Sequence, residues 1–181
     1  MSDEIEDPAS EEPVEPPVDP VQLRFLLQRI RDQQNLALGS IAAAVAALVG
    51  AALWAGITLG TGYRIGFMAI GIGLLVGFAV RVFGKGIDRA FGIVGAVFSL
   101  LGCAAGNLLT ICGLLAAQQN LPLQDVLGHL DAELVGRLML AAFSPMDLVF
   151  YGIAVYEGYR LSFHRLSPEE LAVIQPGGEQ A

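Results

Sequence analysis

Few side chains in this chain of 181 residues are equipped for chemistry, and their spacing limits what that chemistry can be. Asp125, His129 and Glu133 recur at i, i+4 and i+8, so on one continuous helix they share a stripe. Carboxylate and imidazole are metal ligands at a workable spacing. One histidine and two carboxylates on a single helix seldom close a site, however, and the solvated face of an amphipathic helix is the default. The stretch "GFAVRVFGKGIDRAFG", Gly77 to Gly92, places glycines on both sides of Lys85. A phosphate-cradling loop needs G-x-x-x-x-G-K followed by Ser or Thr, set between a strand and a helix. Here Gly86 follows Lys85, Ala79 stands where the first glycine should be, and both flanks are apolar runs. A dinucleotide fingerprint fails too, because no strand leads into the glycines. Cys103 and Cys112 are nine apart on one helix, on opposite faces and about 13 Å apart along the axis. They cannot bond to each other and are read as small packing residues. No nucleophile–base pair, cofactor motif or basic nucleic-acid stripe appears, so no catalysis, cofactor or nucleic-acid partner is expected.

The elements that carry these residues follow from hydropathy. Hydrophobic residues make up 54% of the chain and charged residues 15%, against about 25% charged in ordinary soluble domains; mean hydropathy is +0.60. The net charge of −8 is unevenly spread. Residues 1–20 hold eight acids, five prolines and no base, which predicts a disordered acidic tail with too little apolar surface to offset its ordering entropy. Beyond it the sequence predicts an all-α membrane bundle of four transmembrane helices, over about 36–59, 65–83, 90–117 and 145–163. A span takes roughly 17 to 25 residues. The last is the weakest, being interrupted by Asp147, Glu157 and Arg160. With the N-terminus inside, Arg24, Arg29, Arg31, Arg81, Lys85, Arg89, Arg160 and Arg165 lie on inner segments, and Arg64 and Arg137 on outer ones. That bias places both termini in the cytoplasm, with residues 164–181 as a cytoplasmic tail.

Two amphipathic segments flank the spans. Residues 21–35 place Leu23, Leu26, Leu27 and Ile30 on one face, as an interfacial helix would or as an extension of the first span would. Residues 121–143 repeat Leu123, Val126, Leu127 and Leu130 at i, i+3, i+4 and i+7, with Asn120 as expected N-cap and Pro122 early in the first turn. Small residues recur along the second and third spans: Gly62, Gly66, Ala69, Gly73 and Gly77, then Gly92, Gly95, Ser99, Gly102, Gly106 and Gly113. Such stripes let helix backbones approach closely in lipid. They serve packing within the bundle, a homo-oligomeric seam, or a ligand-contacting groove, and glycine strings also line pores; the expected partners are the lipid bilayer and a second copy or another membrane protein.

Ionisable and amide groups inside lipid are costly, so they are the functional leads. Arg64, Arg81, Asn107, Asp147, Glu157 and Arg160 are the intramembrane candidates. A Glu157–Arg81 contact is expected, with Arg160 as competitor. "SPMD" reads as a capping box, Ser144 at the N-cap, Pro145 at N1 and Asp147 at N3, with Arg64 near enough to pair with Asp147. If the helix instead runs from Leu138 through Pro145, Asp147 falls near mid-bilayer as an ion or proton site. Asn107 is expected to bond between helices. Gly84 and Gly86 are expected to turn the chain, with Arg81, Lys85 and Arg89 at lipid headgroups and Asp88 capping the third span. Trp54, Tyr63, Tyr151, Tyr156 and Tyr159 read as interfacial anchors.

The blocks "GYRIGFMAIGIGLLVGFAVRVFGKGIDRAFGIVGAVFSLLGCAAGNLL" (Gly62–Leu109) and "MDLVFYGIAVYEGYRLS" (Met146–Ser162) resemble an uncharacterised family of small bacterial multi-pass inner-membrane proteins. The resemblance covers roughly the last three spans, Arg64, Arg81, Lys85, Asn107, Asp147 and Glu157 among them. It implies the same topology and supplies no activity. The expected roles are therefore structural or partner-binding, with a small oligomeric transporter or channel using Asp147, Glu157 and Asn107 as the alternative.

Overall fold

The structure, a computed structural model, describes residues 20–63 and 66–164, with the backbone alone at 20, 22, 23, 26, 27, 30 and 142. The acidic tail, Arg64 and the C-terminal tail from 165 lie outside the described residues, as does the leucine face expected on residues 21–35. Every regular element described is an α-helix: α1 (Pro20–Asp32), α2 (Leu36–Thr61), α3 (Phe67–Gly84), α4 (Arg89–Gln119), α5 (Leu123–Gly128), α6 (Ala132–Ala142) and α7 (Pro145–Leu161). Residues 20–29 belong to one unit and Ile30–His164 to another. In the first, Val21, Arg24 and Phe25 are exposed. α1 is a helix of its own rather than an extension of the first span. The chain leaves helical geometry before Asn35, whose side chain caps α2 by accepting from the Leu38 amide at 2.8 Å.

Within Ile30–His164 the central pair is α3 and α4. Both touch each other, both touch α2, and both touch α7. Chain direction alternates. Gly39 of α2 lies against Gly84 at the far end of α3, while Gly50 lies against Ile72. α7 runs parallel to α3, since Gly66, Gly73 and Gly77 meet Phe150, Ala154 and Gly158 in that order. The result is an up-down-up-down bundle.

Its core is made of small side chains. Ala43, Ala51, Ala69, Ala154, Val76 and Val80 are fully buried, and the two valines are among the largest side chains to be so. Large apolar side chains point outward instead: Ile41, Leu48, Phe78 and Leu148 are each at least 60% exposed. An apolar surface of this extent is not tolerated in water, but it is what a bilayer solvates. α2, α3 and α4 are long and apolar enough to cross a membrane. A fourth crossing is added when α6 and α7 are taken as one span, although these are bent by 106° at their junction. α7 alone has 17 residues.

Two connections differ from the sequence reading. The hairpin between α3 and α4 is turned by Lys85, in the left-handed region at φ 48°, and not by its glycines. Gly84 and Gly86 are needed for space: a Cβ on either would strike the Phe91 ring. At the other end Asn120 is the left-handed C-cap of α4, at φ 54°, and does not start the next helix. Pro122 occupies the N-cap of α5, and a break at 129–131 lets Asp131 cap α6 by accepting from Leu134 at 2.6 Å. Residues 121–143 therefore form two helices.

Candidate functional site

The small-residue stripes form two seams, and α4 divides itself between them. Gly92, Gly95 and Ser99 face α7, where a Cβ on Gly92 would meet Tyr159 and Phe163. Gly106 and Gly113 face α2, at Trp54 and Leu59, and Gly102 stands where α2 and α3 meet, against Ala47 and Ile72. The seven-residue series is thus not one seam, because a straight helix drifts about 20° per heptad and a long α4 presents successive members to different neighbours. Gly66, Gly73 and Gly77 serve the α3–α7 contact. Gly62 does not belong to the packing set: a Cβ there meets nothing within 4 Å, and the residue is the exposed C-cap of α2 at φ 73°.

A close helix crossing is made by Gly95 and Ser99 of α4 with Gly158 of α7 and Ser162 just beyond it. A Cβ on Gly158 would stand 2.8 Å from the Gly95 carbonyl oxygen. Both serines are fully buried and donate to their own i−4 carbonyl, Ser99 Oγ to Gly95 at 2.7 Å and Ser162 Oγ to Gly158 at 2.5 Å. Back-bonding of this kind satisfies a hydroxyl without a partner helix. Gly158 and Ser162 were not singled out from sequence, although Ala154, Gly158 and Ser162 repeat at i, i+4 and i+8. Glu157 and Tyr156, between them, masked that stripe.

Among the intramembrane polar candidates, Asp147 sits in a capping box. Its Oδ2 accepts from the Ser144 amide at 2.9 Å, and Ser144 Oγ accepts from Met146 at 3.4 Å. That geometry starts a helix at Pro145, so the continuous helix that would carry Asp147 to mid-bilayer is not formed. Its expected partner Arg64 lies outside the described residues. A cap of this kind is worth about 1 kcal/mol, so Asp147→Ala is expected to lower unfolding free energy by about that amount while Asp147→Asn loses less. A cysteine at 147 should react with a membrane-impermeant maleimide in intact cells or oriented vesicles; protection would mean the residue is buried in lipid.

The expected Glu157–Arg81 pair is not formed. The ion pairs between described residues are Arg31–Asp88 and Arg137–Glu133, and Arg160 does not take up Glu157 either. The reason is register. Gly77 lies level with Gly158 and Leu161, so Arg81, a turn further on, has passed the level of Glu157. Both side chains are half-buried. Arg81 sits in the last turn of α3 and Arg160 in that of α7, where a cation complements the helix dipole. Asn107 is 3% exposed in mid-α4.

Arg31, Arg81, Lys85, Arg89 and Arg160 gather at one end of the bundle. There the Asn35 amide donates to the Gly84 carbonyl at 3.0 Å, the His164 amide donates to Gly86 at 2.9 Å, and Arg31 Nε lies 3.8 Å from Asp88. Asp88 occupies the N-cap position of α4 without a side-chain capping bond; its carboxylate serves Arg31 instead. The aromatic set divides. Tyr63 and Tyr156 are exposed, whereas Trp54 and Tyr151 are buried and meet edge-on at 6.5 Å inside the bundle. The Tyr151 hydroxyl donates to the Cys103 carbonyl at 3.3 Å. These two are core residues rather than interfacial anchors.

The opposite end carries the Asp125–His129–Glu133 stripe, which the break between α5 and α6 dismantles. Glu133 stands on α6 paired with Arg137, and no three potential ligands converge on a metal site among the described residues. His129 Nδ1 lies 2.7 Å from the Asp125 carbonyl oxygen. A carbonyl only accepts, so Nδ1 carries the hydrogen. Beside them lies a cavity of about 470 Å³ with Leu115, Leu130 and Leu138 among its walls. No family model, curated protein or solved structure matches this chain.

Proposed function

We propose that this chain is a structural or partner-binding protein of the bacterial inner membrane, with four spans, α7 being the fourth, and both termini cytoplasmic. On this reading it belongs to the multi-pass family it resembles over Gly62–Leu109 and Met146–Ser162. The orientation draws support from the five basic residues at the end where Asn35, Lys85 and His164 meet, and from the pairing of Arg137 with Glu133 at the other. The observation that carries partner binding is a set of glycines with no internal use. Gly56 and Gly60, with Ala52, form an exposed i, i+4, i+8 stripe on α2, and a Cβ on either glycine would meet nothing within 4 Å. Gly71 and Gly152 are likewise open. Glycine costs a helix about 1 kcal/mol relative to alanine, so its repeated use on an outward face favours a second helix seated there at close range.

A transport pathway through a single bundle has less support, since the buried polar residues described, Thr58, Ser99, Asn107, Thr110 and Ser162, include no ionisable group. A channel or transporter using Asp147, Glu157 and Asn107 would need several copies. The test is association. A cysteine at Gly56 should crosslink to a second copy, or to a copurifying membrane protein identified by mass, and Gly56→Leu should abolish the wild-type crosslinks made by a bifunctional reagent. A strictly monomeric, partnerless chain in native membranes would defeat the proposal.

A further inference from the structure

α5 and α6 each touch α4 and do not touch each other. They splay over the end of α4 and leave the cavity of about 470 Å³ beneath them, within the range of roughly 300 to 1,000 Å³ typical of small-ligand sites. Its lining is graded. Leu115, Leu130 and Leu138 are half-buried, while Asp125 and His129 are exposed. No residue of α5 is buried, and those described on α6 are exposed or half-buried, although both helices carry a leucine face. Leu134 at the cavity is 40% exposed and Leu140 beyond it 80%. The cavity wall thus includes exposed apolar side chains, and on the proposed membrane reading lipid is what covers them.

We infer that this cavity holds an acyl chain of one phospholipid, whose ethanolamine ammonium faces Asp125. Electrostatics select the headgroup. Of the acids on this segment, Asp131 is used as the α6 cap and Glu133 pairs with Arg137, whereas Asp125 enters neither role among the described residues. The charge left at the cavity is negative, which repels an anionic headgroup and attracts an ammonium. His129 is held by its Nδ1 bond to Asp125 and presents Nε2. The inference rests on the bilayer setting and is independent of self-association, since a chain that crosslinks to nothing can still hold lipid.

The test uses the full chain, delipidated in detergent and supplied with dioleoyl phosphatidylethanolamine or dioleoyl phosphatidylglycerol, with bound lipid counted by native mass spectrometry. Wild type should keep one phosphatidylethanolamine per chain in preference to phosphatidylglycerol. Leu138→Trp, which fills the cavity, should weaken retention on the order of tenfold, or about 1.4 kcal/mol. Asp125→Asn, a surface change that leaves packing alone, should remove the headgroup preference by about threefold, the weight of an exposed ion pair. Leu148→Trp, on an exposed position of α7, should change neither. No retained lipid in wild type, undiminished retention in Leu138→Trp, or tighter retention of phosphatidylglycerol would each overturn the assignment.

Discussion

Gly73→Leu should lower the unfolding free energy by about 3 kcal/mol, the upper part of the usual range for overpacking a tight contact. At Gly73 the helices α3 and α7 meet backbone to backbone, and even a Cβ would stand 2.8 Å from Ala154 Cα. Neither atom belongs to a side chain that can swing aside, so the helices must part. Parting them also strips α7 from Gly77, four residues and one turn away on the same face, where a Cβ would lie 2.8 Å from Leu161 Cβ. Gly71, on the same helix, provides the control. It is exposed with nothing within 4 Å of an added Cβ, so in the micelle-isolated chain Gly71→Leu should lose no stability and should gain up to about 1 kcal/mol from helix propensity. Unfolding in mixed micelles followed by circular dichroism measures both. Equal stability of the two variants would mean that α3 and α7 are not in register as described.

Trp54→Ala is the second large effect, expected to cost about 3 kcal/mol. In lipid the transfer of an apolar side chain between protein and acyl chains changes little, and helix association rests on dispersion and fit. Trp54 supplies that fit at the meeting of three helices. It is 6% exposed, packs its ring over Gly106 of α4, and meets Tyr151 of α7 edge-on. Removing it leaves a void lined by small residues with little room to collapse inward, since even a Cβ added to Gly106 would stand 3.4 Å from Ala51 Cα. Trp54→Phe should recover most of the loss by keeping a ring in place. The same unfolding measurement reads both, and an alanine variant as stable as the phenylalanine one would place the tryptophan at the lipid surface instead.

Much of the organisation was legible because it depends on local or one-dimensional properties. The apolar runs over α2, α3 and α4 reflect the length a bilayer demands. The Ser144–Asp147 cap could be read from four residues, because a capping box is closed within one turn. What was missed has a common character. The Arg81–Glu157 pair was inferred from similar distances to the ends of two apolar runs, whereas contact depends on the register set by Gly73 against Ala154 and Gly77 against Gly158. Trp54 and Tyr151 were read as interfacial by residue type, whereas the direction of their side chains decided the matter. The single stripe of Asp125, His129 and Glu133 assumed one helix where the chain makes two.

By itself, the sequence determined an all-helical chain, its long apolar helices, the cap that starts α7, and the stripes of small residues that let helices approach. These are properties of hydropathy and of turns that close over three or four residues. Only the tertiary structure decided which stripe met which neighbour, that the first half of the α4 glycines serves α7 and the second half α2, and that a lysine turns the hairpin while its glycines make room for Phe91. Each of those outcomes depends on the relative rotation and register of helices far apart in sequence. A periodicity is shared by several possible partners, and only the fit of one backbone against another selects among them.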